Sequence, residues 1–208
     1  GLANHEMARR TFENLKRVGA PHFDEAAIKA AHEIQKELGL SPIVKPFIDE
    51  IERLIDPEEA EKKIRAEIPA WQTHYTSDDY TDMTWHAPTV RLYIGRPALK
   101  APAGFTYPDW VMNALGGMNA TIDPMVNKAA KTIGLTLFDI IADPEFRTSA
   151  RKEFEERTGG GIGGTKWEAP WCDYDPPLEH PWPRYHQTKR GFEWWIPETA
   201  ADRALQRG

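Results

Sequence analysis

The sequence is poor in cysteine, with Cys172 as the single one among 208 residues. One cysteine excludes an internal disulfide framework and a zinc site of the CxxC type, and it fits a reducing compartment. Long apolar runs are also missing: none approaches the length that spans a bilayer, and no signal-peptide core opens the chain. We therefore expect a cytoplasmic protein with no membrane partner.

Basic charge is in short supply as well. The chain has 26 lysines and arginines against 32 aspartates and glutamates, a net charge of −6. A protein that binds the phosphate backbone needs a basic face, so we expect no nucleic-acid partner. Hydrophobic residues make up 40% of the chain, which is enough to bury a core. The chain opens with Gly1, not methionine, which is typical of a processed chain, an engineered piece or the later part of a longer polypeptide.

Helical spacing of apolar residues dominates the pattern. Asn4 and Asp24 are predicted N-caps of the first two helices, and Asp143 of the last. The longest helix is predicted to start at Asp123-Pro124 and to bury one apolar stripe, Met125, Ala129, Ile133, Leu137 and Ile140. The other predicted helices cover residues 4–19, 24–39, 41–54, a charged and solvated segment 56–65, and a segment after Asp143 with Phe146, Ala150 and Phe154 inward.

Only one stretch is typical of a strand, the β-branched and aromatic run 89–94. Helices with broad apolar stripes bury those stripes against another layer of secondary structure. A single strand is too narrow to be that layer. Either the domain is all-helical with a stray extended segment, or its sheet belongs to sequence outside this chain. The start without methionine favours the second interpretation.

The last part of the chain is different in composition. The glycine run 159–164 lacks the Lys-Ser/Thr of a phosphate loop and follows no strand, so we interpret it as a flexible connector. The tryptophans and prolines of 167–197 are irregularly spaced, which is typical of an extended strap anchored by its aromatics.

The densest polar constellation comprises Ser77, Asp78, Asp79, Asp82 and His86. On a short helix over 78–85, Asp78 and Asp82 share one face and His86 continues it. Such a stripe could hold a divalent metal or orient a general base. Aspartates in a first helical turn are also ordinary capping groups, and from the pattern alone capping is favoured.

A family resemblance rests on two stretches, TSDDYTDMTWHAPTVRLYIGRP (76–97) and the run from YPDW to the RTGG at 157–160. They resemble the C-terminal portion of the p-aminobenzoyl-glutamate hydrolase family, a branch of the aminoacylase-type metal-dependent amidohydrolases. The matching positions are Ser77, Asp79, Asp82, Thr84, Trp85, Pro88 and Lys128-Ala129-Ala130-Lys131. With a weaker match in the opening segment, the resemblance covers most of residues 1–160.

The resemblance implies an α/β fold in which this chain is the C-terminal portion of a split di-metal exopeptidase-like catalytic domain. Residues 1–160 would belong to that domain, and 161–208 would form the connector and tail. A metal-activated water would hydrolyse the amide of an N-acyl or aminobenzoyl amino-acid-like substrate. The implied partners are the N-terminal half, which would bind most of the zinc or manganese, a second copy of the complete enzyme, and the small-molecule amide.

The resemblance also implies site residues. Asp79 and Asp82 would orient catalytic groups, and Ser77, Trp85, Tyr107 and Asn113 would contact substrate. For Trp85, packing in the core is an equal alternative.

One departure concerns the metal. Relatives place a histidine ligand two residues before a tryptophan, and matching on Trp110 puts Pro108 there. Asp109 could substitute as an oxygen ligand, His86 could do so if its loop folds back, or one metal site is altered or lost. A hypothesis from another class is a non-catalytic helical binding or assembly module whose Trp/Pro tail clamps a partner chain.

Overall fold

A computed structural model of the chain describes residues 1–72, 79–169 and 184–195. The chain divides into two units, Gly1–Glu168 and Ala169–Gly208, which we describe separately. The first is mostly helical. Its α-helices are α1 (His5–Val18), α2 (Glu25–Glu37), α3 (Pro57–Glu67), α4 (Asp109–Gly117), α5 (Asn119–Ala142) and α6 (Pro144–Thr158). Two 3₁₀ helices span Asp49–Glu52 and Asp79–Trp85.

The predicted caps of α1, α2 and α6 are confirmed. The side chains of Asn4, Asp24 and Asp143 accept hydrogen bonds from backbone N–H groups in the first turns of these helices. Each cap satisfies a donor that has no partner inside the helix. Helix α3 carries no buried residue, as its alternating charges predict.

The main core forms where α2 meets α4, the start of α5 and two loops. The rings of Phe23 and Phe47 stack with centroids 4.1 Å apart. The other buried members are Ala27, Ala31, Ile34, Ile51, Leu99, Val111, Leu115 and Met125. A second, smaller cluster consists of Met7, Phe146 and Ala150, with Val90 and Ile140 packed against it.

Helix α5 differs from the prediction in both its start and its orientation. It begins at Asn119, so Pro124 lies inside it. Of the predicted stripe, only Met125 is fully buried, whereas Ile133 and Leu137 are about half exposed, at 47% and 55%. The buried residues of the helix are otherwise Thr121, Thr132 and Thr136.

The polar inner face of α5 follows from the helix that it meets. Helix α1 presents buried Thr11 and Asn14, and Asn14 Nδ2 donates to Asp139 at 2.8 Å and to Thr136 at 3.3 Å. These groups need hydrogen-bond partners once they leave water, so α5 turns its threonines toward α1. The apolar side chains of Ile133 and Leu137 then lie on the side of α5 that faces away from α1.

The predicted helix over 41–54 is wrong. Phe47 instead forms an isolated antiparallel bridge with Leu99, and only Asp49–Glu52 is helical. The side chain of Gln35 accepts from Ile43 N at 3.0 Å, and the carbonyl of Pro46 accepts from Lys100 N at 2.7 Å. These tertiary hydrogen bonds use backbone groups that a helix would need, and Phe47 and Ile51 still reach the core.

The predicted strand over 89–94 is not formed: these residues have no regular secondary structure and pair with no strand in the described part of the chain. Arg91 lies over the rings of Tyr80 and Tyr93, at 4.8 and 4.6 Å from their centroids. A run with strand composition becomes a strand only where a neighbouring chain supplies the ladder.

The glycine run, predicted to be a connector, folds as a hydrogen-bonded turn. Gly159 ends α6 in the left-handed conformation, with φ +70°. Thr165 N donates to the carbonyl of Gly159 at 2.9 Å, and Gly164 N donates to that of Gly161 at 2.9 Å. Consecutive positive φ angles let the chain fold back on itself where other residues would be strained.

The second unit contains an antiparallel hairpin of β1 (Arg184–Thr188) and β2 (Gly191–Trp195). Arg184 pairs with Trp195 and Thr188 with Gly191, and Gly191 has φ +116° at the turn. Part of the extended strap predicted for 167–197 is therefore a hairpin, which the irregular spacing of tryptophan and proline does not predict. Across the described parts of both units, no helix is long and apolar enough to cross a membrane.

Candidate functional site

The predicted polar constellation is a 3₁₀ helix, not an α-helix. It spans Asp79–Trp85, so side chains three apart align, and Asp82 and His86 do not share a stripe. Ser77 and Asp78 lie outside the described residues. Asp82 and His86 are both exposed. The predicted single face of Asp78, Asp82 and His86 assumed the α-helical period, which the described part, Asp79–Trp85, does not have.

The 3₁₀ helix is held on its buried side by Thr84, which is only 1% exposed. Thr84 Oγ1 donates to the carbonyl of Thr81 at 2.5 Å and accepts from Leu2 N at 3.1 Å. Trp85 packs edge-on against Trp167, with ring centroids 5.2 Å apart. Trp85 and Trp167 are both half-buried.

Tyr107 is fixed by its hydroxyl. It donates to the carbonyl of Lys100 at 3.0 Å and accepts from Gln35 Nε2 at 3.0 Å. Lys100 in turn pairs with Asp49 at 2.7 Å, and its ammonium lowers the pKa of that carboxyl below its ordinary value. These contacts tie the loop before α4 to α2 and to the first 3₁₀ helix.

Tyr107 and Asp109 line one small cavity of about 130 Å³. Both are predicted site residues, but the sequence does not predict that they share a cavity. Asp109 and Asn113 are exposed on α4. The other lining residues are Pro97, Ala98, Leu99, Pro108, Val111, Met112 and Leu115.

Leu99 and Leu115 supply much of the apolar wall of this cavity, and sequence reasoning missed both. Leu115 has a helical spacing signal, since it follows Val111 by four residues. Leu99 lies in a loop whose sequence gives no period, and only the bridge to Phe47 buries it.

The candidate metal ligands do not form a site by themselves. Within the described ranges, no three His, Cys, Asp or Glu side chains come together. Asp82, His86 and Asp109 are each exposed and offer oxygen or nitrogen donors toward solvent. A metal held by this part of the chain would need ligands from elsewhere.

Comparison of the chain with protein-family models, with curated proteins and with solved structures finds no match in any of the three.

Proposed function

We propose that this chain is the C-terminal part of a split α/β catalytic domain in a metal-dependent amidohydrolase. The enzyme would hydrolyse the amide bond of an N-acyl or aminobenzoyl amino-acid-like substrate. Another stretch of polypeptide would supply the remaining sheet and most metal ligands. The residue resemblance supports the activity, and two features of the fold support the split domain.

The observation that carries the proposal is the course of residues 89–95, which we call the extended segment. Val90 packs at the cluster that also holds Ile140, near the end of α5, and Gly95 lies against Met125, near its start. The five residue steps from Val90 to Gly95 cover at most about 17 Å, and the fifteen helical steps from Met125 to Ile140 cover about 22 Å. A nearly straight course is needed to connect these two places, so we propose that the extended segment serves beside α5 as a strand of a helix-on-sheet layer, and such a strand needs neighbours.

The second supporting feature is the outward face of α5. We call it the outer stripe: Val126, Ile133, Leu137, Phe138 and Ile141, which are 47–77% exposed. These positions follow the i, i+4, i+7 spacing of a face that is buried in a folded domain. Covering the five side chains would contribute roughly 5 kcal/mol. A sheet continued from the extended segment offers a flat apolar layer for this purpose.

The cavity beside Tyr107 supports an aromatic group in the substrate. Its volume of about 130 Å³ is comparable to the ~150 Å³ apolar cavity that takes up benzene in an engineered protein. Leu99 and Leu115 offer apolar walls, and Tyr107 is held in place by its two hydrogen bonds. Asp109 at the same cavity could accept a hydrogen bond from an amino group.

The metal-facing roles that we propose for this chain are supporting ones. A bound metal would activate a water for attack on the amide carbonyl. The metal itself would also stabilise the negative charge that develops on the carbonyl oxygen. Asp109 or His86 would complete a ligand set that is mostly provided from outside this chain. Asp79 and Asp82 would orient neighbouring groups, because ligands to metals are themselves held by hydrogen bonds. Ser77, Trp85 and Asn113 stay proposed substrate contacts.

A second candidate is a non-catalytic assembly module. The outer stripe supports it equally, since an exposed apolar face of this length is also typical of a protein–protein contact. The two proposals differ in whether the assembled complex holds a metal and turns over an amide.

The test is to produce the chain together with the polypeptide encoded immediately upstream in its source genome and to purify the pair through a tag on this chain. We expect a stable complex that contains zinc or manganese and releases the aryl amine from N-(4-aminobenzoyl)glutamate. A chelator should abolish the release. A metal-free, inactive complex would establish the assembly module, and the lack of any complex would contradict both proposals.

A matched pair of variants tests the extended segment. Tyr93 is 65% exposed, so replacing it changes little in the fold. Tyr93→Pro removes a backbone N–H that a neighbouring strand would use, and we expect it to abolish co-purification. Tyr93→Ala keeps that N–H and should retain the complex. If both variants retain the complex, or if neither does, strand pairing at this segment is refuted.

A further inference from the structure

The glycine turn after α6 packs against the candidate site from behind. Ile162 N donates to the carbonyl oxygen of Trp85 at 3.2 Å. A Cβ at Gly161 would lie 2.6 Å from that same oxygen and 3.1 Å from the ring of Phe154. Only a residue without a side chain allows the turn to approach Trp85 this closely.

The turn has little freedom to move away. Gly161 N donates to Thr158 Oγ1 at 2.9 Å, and Thr158 Oγ1 donates to the carbonyl of Phe154 at 2.7 Å. Thr158 is 1% exposed, and Phe154 is also buried. The turn is therefore anchored to the last turns of α6 by hydrogen bonds that are shielded from water.

The 3₁₀ helix Asp79–Trp85 is thus held by hydrogen bonds from two other segments of the chain. The chain start holds it through Leu2 N and Thr84, and the glycine turn holds it through the Trp85 carbonyl. Trp167, just beyond the turn, adds the edge-on ring contact with Trp85. Asp82 and His86 remain exposed on this fixed support.

We propose that Gly161 is a positioning residue: through the Trp85 carbonyl it sets the place of the Asp82–His86 segment in the assembled enzyme. This inference rests on the proposed function. A methyl group at position 161 pushes the Trp85 carbonyl away and displaces the segment that follows it. A misplacement of about 1 Å at a catalytic site can cost about 100-fold in rate.

The test compares Gly161→Ala with Gly163→Ala. Both glycines have positive φ, +87° and +74°, so both alanines carry similar backbone strain. A Cβ at Gly163 meets nothing within 4 Å. Gly163→Ala is therefore a control that carries the positive-φ strain without the contacts that a Cβ at Gly161 makes with the Trp85 carbonyl and the Phe154 ring.

Two readouts are measured. In the full chain, the near-ultraviolet circular dichroism of the Trp85–Trp167 pair, identified as the signal lost in Trp167→Phe, should vanish in Gly161→Ala and persist in Gly163→Ala. In the complex assembled with the upstream polypeptide, Gly161→Ala should lower kcat by about 10- to 100-fold with KM and metal content unchanged. Gly163→Ala should keep the wild-type kcat.

The outcomes separate this inference from the proposed function. If the wild-type complex is active and Gly161→Ala turns over like Gly163→Ala, the positioning role is overturned and the proposed function stands. A loss of complex formation or metal in Gly161→Ala assigns the residue to stability and also overturns positioning. An inactive wild-type complex overturns the proposed function and the positioning role with it.

Discussion

Asp143 combines two contacts in one side chain. One carboxylate oxygen accepts from Phe146 N at 3.0 Å and caps α6, and the other binds Arg10 at 2.7 Å. The same guanidinium lies over the ring of Phe146, 4.5 Å from its centroid. The Phe146 N–H and the Arg10 charge together lower the pKa of Asp143 below its ordinary value of 3.8.

The Asp143 contacts predict a pH-dependent stability difference between the protein and its Asp143→Asn variant. Asparagine keeps the cap but loses the charge. Because the pKa of Asp143 is lower in the folded state, its stabilising effect is complete above pH 3.8 and is lost as the pH falls through the lower value. Urea unfolding should therefore give a lower midpoint for Asp143→Asn at neutral pH.

The two midpoints should converge as the pH falls through the lowered pKa of Asp143, because below it both side chains are uncharged. Asp24→Asn makes the same exchange at the cap of α2, where the described residues show no ion pair with an arginine. At neutral pH, Asp24→Asn should lower the urea midpoint less than Asp143→Asn does. A difference for Asp143→Asn that is independent of pH would contradict the ionic origin.

Helices α1 and α5 meet through a polar seam instead of an apolar one. Asn14 is fully buried and reaches Thr136 and Asp139, and Thr11 Oγ1 accepts from Thr136 Oγ1 at 3.4 Å. At the other end of the seam, Lys128 Nζ donates to the carbonyl of Val18 at 2.7 Å and completes the end of α1. Directed hydrogen bonds of this kind fix how α5 is rotated about its own axis.

Removing the central group of this seam should be costly. We expect Asn14→Ala to lower the free energy of unfolding by about 1–3 kcal/mol, because it removes a fully buried side chain and its hydrogen bonds to Thr136 and Asp139. Asn113→Ala, at an exposed position of α4, should change it by less than about 0.5 kcal/mol. Denaturant unfolding measures both. Equal effects of the two variants would show that the seam does not hold the helices.

Because of the seam, the first unit has an exposed apolar surface along α5. With its threonines inward, α5 presents the outer stripe to solvent along most of its length. An exposed patch of this kind marks a surface that another layer covers. Until it is covered, we expect the isolated chain to bind apolar dyes and to self-associate.

The outer stripe can be made polar without loss of the fold. We expect Leu137→Asp combined with Ile141→Asp to reduce anilinonaphthalene sulfonate binding severalfold and to leave the unfolding free energy within about 0.5 kcal/mol, because both side chains are more than half exposed. Val44→Asp, at a side chain that is 86% exposed and outside the stripe, should leave dye binding unchanged. Unchanged binding in the double variant would locate the apolar surface elsewhere.

The sequence alone determined the local features of this protein. The caps Asn4, Asp24 and Asp143 and the solvated helix α3 depend on neighbouring residues only, and so does the inward row Phe146, Ala150 and Phe154 of α6. The candidate residues of the 79–86 segment were also visible as a polar cluster, although its 3₁₀ geometry was not. This helix is also held by a tertiary contact, the hydrogen bond from Leu2 N to Thr84 Oγ1, which the local sequence does not predict.

The tertiary structure decided which surfaces meet. Helix α5 carries an apolar and a threonine-rich face, and only the polar surface of α1 determines that the threonines turn inward. In the same way, a distant bridge between Phe47 and Leu99 replaces a predicted helix, and residues 89–94, whose composition is typical of a strand, pair with no strand in the described part. Each of these outcomes depends on partners far apart in sequence, which periodicity along the chain does not encode.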